Sequence, residues 1–153
     1  MRDFLGLVVV AVLVGALPAE AKCASEELIP SFDMAASGNM GVAEVTIQSV
    51  DRYAWSVLVE RVFKGVLPQG QRVLVAMPTC RHVPPREQLK PGTRWILIAR
   101  KRERDGMTYW SPPICGVYAA RVAGATVEVP APHDGATAMP RDAFEARMRE
   151  LSR

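Results

Sequence analysis

Histidine is nearly absent: His82 and His133 are the only two in 153 residues. A structural zinc site takes four ligands and a catalytic one usually three, at recognisable spacings, and no such set occurs. There is no Gly-x-Ser-x-Gly elbow, no His-Glu-x-x-His pair, no phosphate-binding P-loop and no dinucleotide fingerprint. The carboxylates are scattered, and none reads as an isolated acid within an apolar run, where a raised pKa would mark a general acid. These absences weigh against an enzyme, and no cofactor or metal is expected. Cysteine is also scarce, at three residues, too few for a disulfide-dense scaffold. A long hydrophobic segment is missing as well: the one charge-free apolar run, FLGLVVVAVLVGAL at residues 4–17, is shorter than the ~20 residues needed to span hydrocarbon.

What that run offers instead is an export signal. Arg2 precedes it, Pro18 ends it, and Ala19-Glu20-Ala21 is the small-x-small pattern that signal peptidase accepts. Residues 1–21 are therefore expected to be a signal peptide, with Lys22 as the mature terminus and no stable membrane insertion after cleavage. A lipoprotein would need a small residue just before Cys23, where Lys22 stands. Cleavage removes Arg2, Asp3 and Glu20, so the formal charge rises from +3 to +4. That excess helps solubility and falls short of a nucleic-acid footprint. The expected location is periplasmic or secreted, and residues 22–153 suit one domain burying roughly two thirds of its surface.

In an oxidising compartment Cys23, Cys80 and Cys115 imply one disulfide and one remaining thiol. Three connectivities are open. Cys80-Arg81-His82 also raises a second reading, an extracytoplasmic thiol or hydrolytic enzyme using Cys80 or Cys115 with His82.

Along the chain the punctuation is that of a small barrel. Ser25 to Leu28 suits one helical turn, and Ser37-Gly38-Asn39 a loop. Val45 and Ile47 alternate with Glu44, Thr46 and Gln48, the period of a half-buried strand. Residues 55–63 predict a long, bent strand with a bulge. Val73, Val75 and Met77 alternate again, and Lys90-Pro91-Gly92-Thr93 fits a type II turn. Trp95 to Ala99 is apolar on both faces and should be the most buried strand. Asp105-Gly106 predicts a hairpin, and Ala123-Gly124 joins two further strands. Residues 130–138 read as an Ala/Pro/Gly linker. Phe144, Met148 and Leu151 then recur at helical spacing, with Pro140 suited to the first turn, so a short helix is expected over residues 140–152. The fold expected is mainly β, a small closed or partly open OB-like barrel with a short C-terminal α-helix.

The runs VERVFKG, VLVAMPTC, LKPGTRWILIARK and PICG, in that order, resemble bacterial relatives of the netrin-like module. This is the OB-fold domain shared with the inhibitory half of tissue inhibitors of metalloproteinases. The resemblance covers residues 42–122 together with Cys23. It implies that Cys80 and Cys115 sit at the family's two receiving positions and that Cys23 is the N-terminal donor, so that Cys23 takes part in the bridge. The family's Cys-x-Cys start is reduced here to Cys23-Ala24-Ser25. Family inhibitors chelate zinc through the amine and carbonyl of an N-terminal cysteine, and Lys22 displaces that amine by one residue. The resemblance thus implies the fold more than the activity.

The last candidate is the basic run Arg100, Lys101, Arg102 and Arg104 at the predicted hairpin. With Trp95, Tyr109 and Trp110 nearby it has the residue types of a single-strand-binding surface, but export makes nucleic acid an unsuitable partner. A charged hairpin tip also guards against edge pairing. The expected function is an exported, non-enzymatic binding module whose partner is an unidentified envelope or extracellular protein.

Overall fold

The computed structural model describes residues 40–76, 84, 86–112, 118–129 and 137–151. The expected signal peptide (residues 1–21), the helical turn expected at Ser25 to Leu28, and Cys23, Cys80, Cys115, His82 and His133 lie outside them. Strand β1 (Gly41–Val50) turns tightly into β2 (Ala54–Lys64), and β3 (Arg72–Ala76) follows. A single 3-10 turn at Arg86–Gln88 leads to β4 (Arg94–Arg104) and β5 (Met107–Ser111). Then come β6 (Ala119–Ala123), β7 (Thr126–Val129), β8 (Thr137–Pro140) and the helix α1 (Arg141–Leu151).

Five strands curl into a ring in the order β1-β2-β3-β5-β4, closed by antiparallel β4–β1 pairing. The ring is not uniformly sealed, because β3 and β5 run parallel and register at one position only, Val75 to Trp110. This is a small, partly open barrel of the kind expected from the sequence. Three register shifts in the β1–β2 ladder accommodate the bend of its long strands.

Strand β4 explains the architecture. Its first half pairs with β1 on one side and β6 on the other, while Arg100–Arg104 pairs with β5. Trp95 and Leu97, facing Val45 and Ala43 across the ladder, fill the barrel interior with Trp55, Val57, Val59 and Val75. Ile96 and Ile98, opposite Glu44 and Val42, point the other way. There a second layer covers them: β6, β7 and β8 continue the sheet, and Val127, Met139, Phe144 and Met148 complete an outer core. Residues 95–99 are buried on both faces because both faces of β4 carry a core.

Of the two fully buried indoles, Trp95 donates its Nε1–H to Thr93 Oγ1 at 3.0 Å, whereas Trp55 Nε1 has no acceptor. The Lys90–Thr93 turn closes through Thr93 N–H to the Lys90 carbonyl at 3.0 Å, as the sequence predicts. Asp105 and Gly106 both have positive φ, 53° and 74°, the signature of a type I′ hairpin turn.

Residues 137–140 depart from expectation. They form β8, paired with β7 from Val129↔Thr137 to Thr126↔Pro140, rather than the end of a linker. Pro140 closes that edge strand, where a missing N–H is harmless, and does not enter the helix. Arg141 then donates its N–H to the Ala125 carbonyl at 2.8 Å and begins α1. Strand and helix are consecutive without a loop.

Two glycines meet where β1 begins and β2 ends. Gly65 sits at φ 85°, and a Cβ there would lie 2.7 Å from the Gly41 Cα and 3.1 Å from the Met40 carbonyl oxygen. At Gly70, with φ 77°, a Cβ would meet nothing within 4 Å. Gly65→Ala is therefore expected to cost clearly more than Gly70→Ala, since only the first adds a backbone clash to ~1 kcal/mol of positive-φ strain. Urea midpoints of the two variants check this.

Candidate functional site

The hairpin run that looked like one basic cluster is divided by strand alternation. Across β4–β5, Arg100 faces Ser111, Arg102 faces Tyr109 and Arg104 faces Met107. Directly opposed residues share a face, so the three arginines lie together with Tyr109 and Met107. Lys101 and Glu103 take the other face and satisfy each other, Nζ to Oε1 at 2.8 Å. The Lys101 ammonium, through its hydrogen bond first and its charge second, holds the Glu103 carboxyl below the usual carboxylate range. Lys101 thus departs from the grouping expected of it and is neutralised locally.

The arginine face continues onto the neighbouring strands. Val75 and Trp110 point into the barrel, so Leu74, Tyr109 and Ser111 point out. Leu74 opposes Ser56, and Arg72 opposes Leu58, on the same outer surface. Leu74 is 53% exposed and Met107 69% exposed, large apolar side chains left in water beside cations. Among the described residues Arg72, Arg100 and Arg102 have no acidic partner, and Arg104 reaches only its neighbour Asp105, at 3.5 Å. Arg100 is half-buried, and its Nε is shielded from water with no acceptor. Arginine, tyrosine and methionine are residue types enriched at interface centres.

A second charged cluster, around Glu44 of β1, has a different character. Glu44 is 2% exposed, in the middle of β1, where no isolated buried acid was expected. Arg141, the first residue of α1, donates Nη2–H to its Oε2 at 2.7 Å, and Arg94 of β4 stands 3.5 Å from Oε1. Arg141 also holds Glu145 at 3.1 Å, and Arg61 of β2 holds the other Glu145 oxygen at 3.0 Å. The Arg61 guanidinium lies over the Phe63 ring, which meets Phe144 edge-on. Each carboxylate in this group is held by two arginines, and the group ties α1 to β1, β2 and β4.

Burial by itself would raise the Glu145 carboxyl, but hydrogen bonds from Arg141 and Arg61, and then their charges, outweigh it and leave its pKa lowered. A carboxyl lowered on folding contributes stability above its unfolded pKa and loses it as pH falls through the folded value. Glu145→Gln is accordingly expected to destabilise at neutral pH, with the gap to wild type shrinking below the ordinary carboxylate range. Urea titrations between neutrality and pH 3 check this, and a pH-independent gap would contradict it.

Among the described residues no group of three His, Cys, Asp or Glu side chains is placed to hold a metal ion, and no helix is long and apolar enough to cross a membrane. No family model matches this chain, and no curated protein or solved structure matches it.

Proposed function

We propose that the chain is an exported, non-enzymatic binding module, a netrin-like OB barrel acting in the periplasm or outside the cell, whose partner is another protein there. The observation that carries this reading is the outer face of β2, β3, β5 and β4. Arg72, Arg100 and Arg102 lack acidic partners among the described residues, and Leu74 and Met107 stay exposed beside them. Unpaired guanidinium groups and exposed large apolar side chains on one surface are what a protein partner desolvates and pairs. The second cluster, around Glu44, joins the helix to the sheet and supplies the scaffold. The disulfide belongs to the same reading: one bridge among Cys23, Cys80 and Cys115, with Cys23 as one partner.

The experiment is site-specific photocrosslinking in the exporting cell, with the crosslinker at Leu74 and, as control, at Val66, an exposed apolar residue in the β2–β3 connection. One discrete adduct at Leu74 and none at Val66 supports the module, whereas equal patterns at both positions overturn it. Sequencing the exported form is expected to begin at Lys22. A thiol titration addresses the enzymatic reading: an inert thiol agrees with a binding module, and a reactive low-pKa thiol would favour catalysis through Cys80 or Cys115 with His82.

A further inference from the structure

On the outer face of β3, β5 and β4 the strand registers fix where each side chain stands. Strand β5 lies between the other two, so its outward side chains form a middle column. Tyr109 is in that column, with Arg102 directly across on β4 and Leu74 beside it on β3, one residue before the Val75↔Trp110 pair. Met107 extends the column and faces Arg104, while Arg72 lies two residues from Leu74 on the same side of β3. The middle is therefore apolar and aromatic, and cations flank it on both strands. Leu74 and Met107 are exposed, as are Arg72, Arg102 and Arg104, so these side chains stand in water.

We propose that this face receives an amphipathic α-helix of the partner protein. Its apolar stripe lies on Leu74, Tyr109 and Met107, and carboxylates on its two flanks pair with Arg72 on one side and with Arg100, Arg102 and Arg104 on the other. The inference rests on the protein-binding reading and names what the partner presents. Main-chain N–H and C=O groups lie in the plane of a sheet, so its face offers side chains alone. A docking segment must then satisfy its own backbone, which a helix does and an extended strand does not. The dimensions agree: β3 and β4 are two strand spacings apart, ~10 Å, against ~10–12 Å for the diameter of one helix. Arg100 to Arg104 spans ~14 Å, the length of ~9 helical residues. Charge gives the sign of the flanks. Among the described residues no acid pairs with Arg72, Arg100 or Arg102, and Arg104 reaches only Asp105. Guanidinium and carboxylate match in a bidentate, charge-assisted pair. A polyanion without an apolar stripe would leave Leu74 and Met107 in water, so the surface favours an amphipathic occupant. Two copies of this face would bring their arginines together, which opposes self-association through it.

The test uses residues 22–153 and a short, fluorescent helical peptide with leucines at i, i+3 and i+7 flanked by glutamates. One control peptide has the same residues with the leucines scattered round the helix, and a second has a central proline. Fluorescence anisotropy at moderate salt is expected to show the striped helix binding at least tenfold tighter than either control. Arg102→Glu and Leu74→Asp should each weaken it tenfold or more. Lys101→Glu makes the same change of charge on the other face of β4 and should leave binding within about twofold. All three positions are exposed, unchanged thermal midpoints confirm folding, and Arg102→Glu alone decides if Leu74→Asp does not fold. Equal binding of the striped and scattered peptides would overturn the inference in favour of plain charge attraction. So would equal losses from Arg102→Glu and Lys101→Glu, or polyphosphate binding as tightly as the striped helix. Equal or tighter binding of the proline peptide, or no binding at all, would also overturn it. A Leu74 crosslink obtained alongside any of those results leaves the protein-binding reading standing and removes only the helix, whereas equal crosslinking at Leu74 and Val66 removes both.

Discussion

Arg141→Ala is expected to lower stability by about 3 kcal/mol, a fall of ~10 °C or more in Tm. Glu44 is 2% exposed and Arg141 is its close partner, at 2.7 Å. Removing that partner leaves a buried carboxylate facing Arg94 alone, at 3.5 Å and itself nearly half exposed. Loss of one member of a buried ion pair costs ~3–5 kcal/mol, because the survivor's desolvation is no longer offset. The lower end applies here since Arg94 remains. Arg141→Ala also frees one Glu145 oxygen and the first turn of α1. The reciprocal change should be milder: with Glu44→Met, both arginines swing to water, because their side chains are already 27% and 47% exposed. The double variant Glu44→Met, Arg141→Met is expected to recover most of the loss, since an apolar pair of similar volume replaces a buried ionic one at little cost. Thermal and urea unfolding of the four proteins checks this. If Glu44→Met proves the most destabilising of the set, the carboxylate contributes more than charge balance.

The same residue shows where sequence reasoning stops. Glu44 lies between Ala43 and Val45, and local alternation assigns it to the polar face of a half-buried strand. Its counter-charges are 50 and 97 residues away, and nothing in a local pattern announces them. Its burial follows from the outer layer of β6–β8 and α1 closing over that face, a tertiary event. Strand β8 was hidden for a different reason: its residues continue an Ala/Pro/Gly-rich stretch whose composition reads as linker, and its four-residue pairing with β7 is fixed by the helix beyond it.

By contrast, Trp95 to Ala99 was legible because a strand apolar on both faces has few alternatives to double burial. Asp105-Gly106 was legible because a type I′ turn demands positive φ twice. The division of the basic run was also within reach. Once Asp105-Gly106 is taken as a two-residue turn, alternation alone separates Lys101 and Glu103 from Arg100, Arg102 and Arg104. Reading charge as a run rather than by face concealed it. The cysteines and His82 lie outside the described residues, so their roles rest on the sequence.

Truncation after Ala138 is expected to have the larger effect of the two, removing cooperative folding or lowering Tm by more than ~15 °C. The deletion takes away Met139 and Pro140, half of β8, together with all of α1. Phe144 is fully buried and Met148 4% exposed, one turn apart on the same side of the helix. Loss of a buried Phe costs ~3–5 kcal/mol and of a buried Met ~2–5 kcal/mol as single truncations to Ala. Together these approach the whole ~5–15 kcal/mol stability of a domain this size. The deletion also uncovers Val42, Ile96, Ile98 and Val127, an apolar sheet face that water would then meet, and leaves Glu44 without Arg141. Phe144→Ala isolates the packing contribution: it should cost ~3 kcal/mol or more while keeping the helix and its ion pairs. Circular dichroism melts of residues 22–153, of Phe144→Ala and of the truncation should therefore fall in that order. A truncated protein melting within a few degrees of the full chain would mean that the barrel interior alone holds the fold and that α1 is a dispensable cover.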